Sequence, residues 1–152
     1  MKRFYLLCIT LLLTGGVFAN NPEKIDYKKG FITGTPKIES INAIAFGPEG
    51  ILFLGDSKTA SVVAFDTKDT NSSEAKSVAI KNIDQVIADA LGTDTDQISI
   101  QDMAVNPISN TIYLAVQSAE GTPLLLKIVD GTIKPVSLND ISYSTISLND
   151  AI

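Results

Sequence analysis

Three oxygen-bearing side chains follow or flank apolar runs, at positions where they could bind a ligand. Asp56 follows the run 51–55, and Asp102 and Asn106 flank the run 103–105. Carboxylate and carboxamide oxygens can hold a hard metal ion or the hydroxyls of a substrate. The alternative for each is a bond to backbone at a strand end or turn. We predict Asp56, Asp102 and Asn106 as candidate binding residues, and we assign no catalytic residue and no metal ligand.

The residue types present limit the chemistry further. The chain has no His and no Trp, and its single cysteine, Cys8, lies in an N-terminal apolar run. A Cys or Ser nucleophile paired with His is therefore excluded, as is a zinc-type site of imidazole or thiolate ligands. Asp94 and Asp96 resemble the start of a calcium loop, but Ile98 stands where a third ligand should be. We read that segment as a solvated acidic loop and expect no cofactor.

The first 19 residues have the pattern of an export signal. Lys2 and Arg3 supply the positive charge, residues 4–13 are an apolar run broken only by Thr10, and Ala19 precedes a possible cleavage point. The alternative is a transmembrane anchor, for which the run is short. We predict a signal peptide over residues 1–19, a mature chain from Asn20, and an extracytoplasmic (periplasmic or secreted) location.

The net charge of the chain limits the kinds of partner it can bind. The formal charge is −5 with 17 acidic residues, and it becomes −7 if two basic residues leave with the signal. An acidic surface repels phosphate backbones and anionic lipid. We therefore expect no nucleic-acid partner, and no membrane association after signal cleavage.

Residues 41–66 alternate, turn on Gly and Pro, and alternate again. Strands are predicted at 41–46, 51–54 and 61–66, with a turn at 47–50, and a fourth strand at 76–80. Short strands joined by tight turns and apolar on both faces are typical of stacked sheets. This predicts one four-stranded unit over residues 38–81, after an extended N-terminal segment at 20–37.

A second copy of this unit follows. Residues 100–107 match residues 41–48 at an offset of 59, and Ile112-Tyr113-Leu114 matches Leu52-Phe53-Leu54 at an offset of 60. Repetition at such a period is the signature of repeat arrays and propellers. The second unit is predicted over residues 98–140.

Between the copies lies a predicted short helix at 82–92. Its apolar residues recur at helical spacing, Asn82 is a candidate N-cap and Gly92 a candidate C-cap. We expect it to lie against the outer or lower rim of the units. The apolar positions are Ile83, Val86, Ile87, Ala90 and Leu91.

Two stretches carry a family resemblance. "IAFGPEGILFLGDS" resembles the strand pair of NHL-type and gluconolactonase-like β-propellers, and "IQDMAVNPISNTIYLAV" resembles the blade openings of secreted bacterial propellers. The resemblance covers residues 38–138. It implies an all-β fold of two propeller blades in an incomplete ring, over residues 38–152. It also implies that Asp102 and Asn106 face a central channel.

Two functions follow as expectations. The first is an exported binding platform for an unknown protein or glycan. The alternative is a hydrolase or lactonase with a hard metal ion in the channel, most of whose ligands would lie beyond residue 152. The present residues offer no convergent acid–base pair, which favours binding.

Two blades alone should leave apolar surface exposed. We expect the units to pack face to face through Ile44, Phe46, Met103 and Val105, leaving strands 51–54 and 112–116 open to water. A chain exposing such faces would be the first part of a longer protein, or would associate.

Overall fold

The computed structural model describes residues 25–74 and 78–148. The predicted signal peptide lies outside the described residues. Within them the chain is mostly β, with one α-helix and two antiparallel sheets. The prediction of a predominantly β chain built from two sheets is thus confirmed, and the described residues form no closed ring.

The first sheet has five strands, in the spatial order β1-β9-β4-β3-β2. Three of them, β2, β3 and β4, lie where the sequence predicts strands, and tight turns join β2 to β3 and β3 to β4. Glu49 and Gly50 have positive φ in the first of these turns, where Gly50 accepts that conformation without strain. The strands are β1 Ile32–Gly34, β2 Ala43–Phe46, β3 Ile51–Asp56, β4 Ser61–Asp66 and β9 Ile141–Ser147.

The second sheet has four strands in sequence order, β5-β6-β7-β8. A β-bulge between Ile100 and Asp102 shifts the register of the β5–β6 pair. Gly131, with positive φ, lies in the tight turn between β7 and β8. The strands are β5 Ile98–Val105, β6 Ile112–Ser118, β7 Pro123–Val129 and β8 Thr132–Pro135.

The two sheets pack face to face around the main hydrophobic core. The first sheet contributes aliphatic side chains of β2, β3 and β4 together with Phe65, and the second contributes Tyr113, Ala115 and Leu125. Phe46 meets Tyr113 edge to face, with ring centroids 5.1 Å apart. We call these two contacting surfaces the inner faces.

The helix α1, Ile83–Leu91, covers the other face of the second sheet. Ile87 is fully buried there against Leu114, Val116 and Leu126, and Gly92 closes the helix in the left-handed conformation. The predicted helix and its C-cap are confirmed. The expected place at a rim is wrong, because α1 lies against a sheet face and forms a second core.

Two details of the helix differ from the sequence prediction. Asn82 has φ 53° and ψ 60° and makes no side-chain capping bond, so it is not the predicted N-cap. Ala88 is buried and Ala90 is exposed, so the buried face of α1 includes Ala88 and leaves out the predicted Ala90.

The fourth strand of the first unit is also different. Residues 78–80 form no strand, and the position beside β4 is occupied by β9, which pairs with β4 from Ser61–Ser147 to Phe65–Tyr143. The chain therefore returns to the first sheet after β8 instead of completing each unit in turn.

The expected packing faces were partly wrong. Ile44 and Phe46 belong to the core between the sheets, but Met103 and Val105 point away from it and are 57% and 48% exposed. Asp102 and Ala104 lie on the inner face instead, where Ala104 packs against the main core and Asp102 accepts a hydrogen bond from the Ile44 N–H. Strand β6 is not open to water, since residues 113–116 are buried. In β3, Leu52 and Leu54 are buried and only the face that carries Phe53 is exposed.

Candidate functional site

Asp56 ends β3 and is 2% exposed. Its Oδ1 accepts hydrogen bonds from the Ser40 hydroxyl at 2.6 Å and from the backbone N–H groups of Lys58 and Thr59 at 3.0 and 3.2 Å. Its Oδ2 accepts one from the Glu39 N–H at 2.7 Å. Asp56 therefore ties the segment before β2 to the β3–β4 turn.

This environment fixes the charge of Asp56. Burial opposes ionisation, but the bonds from the Ser40 hydroxyl, the Glu39 N–H and Thr59 outweigh it and hold the pKa of the Asp56 carboxyl well below its ordinary value. Asp56 is a carboxylate at all but strongly acidic pH. A group held in this way cannot serve as a proton donor near neutral pH.

Asp102 joins the two sheets. Its Oδ2 accepts a hydrogen bond at 2.8 Å from the backbone N–H of Ile44, on the edge strand β2, and its Oδ1 accepts one from the N–H of Met103. The carboxylate thus takes the place that a neighbouring strand's carbonyl would have beside β2. It also blocks that edge against pairing with another chain.

Asn106 is fully buried at the end of β5. Its Nδ2 donates to the Asp69 carbonyl at 2.7 Å, and its Oδ1 accepts from the Ile108 N–H at 2.9 Å. The side chain shapes the β5–β6 turn and fastens the loop after β4 to it. Asp56, Asp102 and Asn106 share no hydrogen-bond partner, so the structure does not bring the three predicted residues together at one point.

A different cluster forms around Asp69. Its Oδ2 accepts hydrogen bonds from the Ser109 hydroxyl at 2.7 Å and the Tyr113 hydroxyl at 3.1 Å. Burial, the Asp69 charge and this hydrogen bond raise the pKa of Tyr113 above its ordinary value, so Tyr113 remains a neutral donor. The Ser109 hydroxyl donates to this shared carboxylate, and the chain has no His that could activate it as in a Ser–His pair.

These bonds fasten the loop 67–74 to the hairpin 106–111 and form one wall of a cleft of about 280 Å³. Two further bonds add to the wall: the Ser73 hydroxyl donates to the Ser109 carbonyl, and Asn110 Nδ2 donates to the Ser73 carbonyl at 2.6 Å. We call this space the loop cleft. The carboxylates of Asp69, Glu74 and Asp130 line it.

The rest of the lining suits a polar ligand. Asn71 and Asn110 also line the space, and Val78 and Val129 supply apolar surface. No Lys or Arg is among the described residues that line it. The described lining can therefore accept hydroxyl, amide or cationic groups.

Sequence reasoning missed Asp69, Ser109 and Tyr113. The first lies in a polar loop with no distinguishing pattern, and Tyr113 was read only as an aromatic strand residue. Their contacts span 40 and 44 positions along the chain. The periodicity of a strand carries no signal for such a pairing.

The described residues contain neither a cluster of metal ligands nor a membrane-spanning helix. No group of three or more His, Cys, Asp or Glu residues in 25–74 and 78–148 is placed to hold a metal ion. In the same residues, α1 is too short and polar to cross a membrane, and no other helix qualifies. Asp94 and Asp96 lie at a single 3-10 turn, Thr95–Gln97.

Comparison of the chain with protein-family models, with curated proteins and with solved structures finds no match.

Proposed function

We propose that the chain is an exported binding module that recognises a polar ligand, a glycan or a protein segment, in the loop cleft. The observation that carries the proposal is the preformed wall of that cleft. Five hydrogen bonds hold the loop 67–74 to the turn 106–111 and to Tyr113. A wall fixed in this way loses little conformational freedom when a ligand binds.

The charges in and around the cleft define the ligand class. Three carboxylates and two carboxamides line it, without a described basic residue, and the whole chain carries a formal charge of −5. Sugar hydroxyls can donate to carboxylates and exchange bonds with carboxamides, and a Lys or Arg side chain of a protein ligand could meet the same carboxylates. Phosphorylated and sulfated ligands fit poorly.

The environments of Asp56 and Tyr113 support binding over catalysis. The first stays ionised and the second stays neutral near pH 7, and each is already engaged by buried partners. A general acid or base needs a pKa near the working pH. The alternative, a hydrolase or lactonase with a hard metal ion, remains a prediction from the family resemblance.

We further propose that the two sheets are blades of an NHL-like propeller. Support comes from the register: Ala45 pairs with Phe53 in the first sheet as Ala104 pairs with Tyr113 in the second. These pairs are related by the offsets of 59 and 60 in the sequence. Export rests on the pattern of residues 1–19, and N-terminal sequencing of protein recovered outside the cytoplasm should begin at Asn20.

The binding proposal can be tested by NMR titration of the isotope-labelled protein. Panels of neutral oligosaccharides and of Lys- or Arg-containing peptides should include ligands that shift the amide signals of residues 69–74 and 109–111. Sulfated versions of the same sugars should not. The replacement Glu74→Gln together with Asn71→Ala should weaken binding about tenfold or more, because both side chains line the cleft without supporting its wall.

Glu120→Gln provides the matched control, since Glu120 is exposed and lies outside the loop cleft. It should leave binding unchanged. Ligands that shift signals only elsewhere, or a double variant that binds as the natural protein does, would show that the cleft is not the site. Hydrolysis of esters or lactones that depends on added calcium and stops with EDTA would favour the enzymatic alternative.

A further inference from the structure

The first sheet has a second face, part of which is exposed in the described chain. Two cross-strand rows form the exposed part of this outer face, and their seven side chains and Gly55 carry no charge. Phe53 is 38% exposed there and Ile146 65%. The rows are Ala43-Gly55-Val62-Ile146 and Ala45-Phe53-Ala64-Ser144. A third row on the same face is Ile51 with Asp66, where Ile51 is buried and Asp66 forms an ion pair with Lys28 at 2.9 Å.

The internal repeat shows what kind of surface fits this face. Through the offsets of 59 and 60, Ala45, Phe53 and Gly55 correspond to Ala104, Tyr113 and Ala115 of the second sheet, and the cross-strand pairing is the same in both. The latter three lie on the inner face of the second sheet. The outer face of the first sheet is therefore the repeat equivalent of a face that is buried in this molecule.

The surface that covers the equivalent face is also known. The inner face of the first sheet contacts Tyr113 and Ala115 through β2, where Ile44 joins the core and Phe46 meets the Tyr113 ring at 5.1 Å. The repeat equivalents of Ile44 and Phe46 are Met103 and Val105. Their cross-strand partners correspond as well, since Leu54 and Leu52 match Leu114 and Ile112.

These equivalents are available on the surface. The helix α1 covers Leu114, Val116 and the strands beyond them, but Met103 and Val105 remain about half exposed, next to Ile100 at 39%. We call Ile100, Met103 and Val105 the β5 strip. Its strand, β5, is the repeat equivalent of β2, which makes the close contact between the two sheets.

We propose that the outer face of the first sheet binds the β5 strip of a second copy of this chain, head to tail. In that contact Val105 of one copy meets Phe53 of the next, as Phe46 meets Tyr113 within one chain. The two surfaces are different, so each copy can use both, and the association continues until a ring closes. The proposal concerns another surface than the loop cleft and does not depend on it.

The size of the outer face sets the expected strength. Four strands about 4.8 Å apart and two rows about 7 Å apart give roughly 250–300 Å² of flat surface per partner. A single contact would thus bury well under the ~1,200 Å² of typical stable complexes. We expect weak association at one contact, strengthened where a ring lets several contacts form together.

The test is sedimentation equilibrium of the purified protein from about 10 µM to about 1 mM. The average mass should rise with concentration. Phe53→Glu alters only the outer face, and Met103→Glu alters only the β5 strip. Each variant alone should associate at least about tenfold more weakly.

The decisive sample is an equal mixture of the two variants. A Phe53→Glu copy keeps an intact β5 strip and a Met103→Glu copy keeps an intact outer face, so head-to-tail binding predicts dimers in the mixture and nothing larger. Ile32→Glu is the matched control, because Ile32 is 59% exposed and its pairing with Tyr143 places it on the opposite side of the first sheet from Phe53. It should behave as the natural protein does.

Three results would overturn the proposal. The natural protein could remain monomeric over the whole range. Met103→Glu could associate normally while Phe53→Glu does not, which would indicate pairing of two outer faces. Both variants could associate normally, which would place the contact elsewhere. If circular dichroism shows either variant unfolded, Ala43→Glu and Val105→Glu replace them.

Discussion

Replacing Asp56 is the sharpest test of the hydrogen bonds that tie the segment before β2 to the β3–β4 turn. Its carboxylate accepts four hydrogen bonds, three at Oδ1 and one at Oδ2. Asp56→Asn keeps an oxygen for the three hydrogen bonds at Oδ1 but turns an N–H group towards the Glu39 N–H. Losing one charge-assisted bond and leaving two donors facing each other should cost about 2–3 kcal/mol of unfolding free energy at pH 7. Asp56→Ala should cost about 3–5 kcal/mol.

The destabilisation caused by Asp56→Asn should depend on pH, and the lowered pKa of Asp56 sets the sign of that dependence. An unfolded Asp has a pKa of about 3.9, and the folded Asp56 lies below that. The ionised carboxylate therefore stabilises the fold fully above about pH 5, and its contribution declines as the pH falls through 4 and towards the folded pKa. The difference between the natural protein and Asp56→Asn should be largest at pH 7 and should shrink steadily below about pH 5.

Urea unfolding followed by circular dichroism, at steps between about pH 7 and pH 3, measures that difference. Asp84→Asn is the control, since Asp84 is exposed in the first turn of α1 and should cost only a few tenths of a kcal/mol. A difference of less than about 0.5 kcal/mol at pH 7, or one that stays constant down to pH 3, would refute the assignment of these four bonds.

Three further substitutions test the packing. Ile87→Ala should cost about 2–4 kcal/mol in urea unfolding, because the side chain is fully buried between α1 and the second sheet. Asp102→Ala should cost about 1–3 kcal/mol by leaving the Ile44 N–H without its acceptor, and light scattering should show more aggregation through the opened edge of β2. Tyr113→Phe should cost about 1–2 kcal/mol through the lost bond to Asp69 and should remove the last tyrosine to ionise in an alkaline absorbance titration.

Each of these has a clear contrary result. An Ile87→Ala variant as stable as the natural protein would mean that α1 is not packed on the sheet. An Asp102→Ala variant with unchanged stability would mean that the bond between the sheets is absent. A Tyr113→Phe titration that still contains the latest-ionising group would assign that group to another tyrosine.

Local pattern was enough to predict most of the elements. The strands predicted at 51–54 and 61–66, the helix and its Gly92 cap all follow from alternation, helical spacing and turn residues within a few positions. Repetition at offsets of 59 and 60 predicted the second sheet from the first. These features are decided by neighbours in the sequence, so the sequence alone could reveal them.

The features that were missed depend on distant partners. The position of β9 beside β4 depends on pairing across about 80 residues, and the Ser- and Thr-containing strand gives no local sign of it. The contact between the sheets joins opposite faces of the two repeats, so Met103 and Val105, the equivalents of Ile44 and Phe46, lie on the far side of the second sheet. Alternation alone could not show which faces meet. Asp102 was recognised as a residue that could bond to backbone, but nothing local indicated that its partner would be Ile44 in the other sheet.

The position of β9 has a consequence for the order in which the chain can fold. It lies between β4 and β1, so β1 has no partner until residues 141–147 arrive, and the first sheet is completed after the second. Hairpins β5–β6–β7–β8 need only local loop closure and can form first, whereas the β4–β9 pair closes a loop of many tens of residues at a higher entropic cost. During synthesis the N-terminal half must therefore wait, incompletely folded, for the segment 141–147. A chain that crosses a membrane unfolded would benefit from that delay, since its earliest segments could not lock into a finished sheet before translocation.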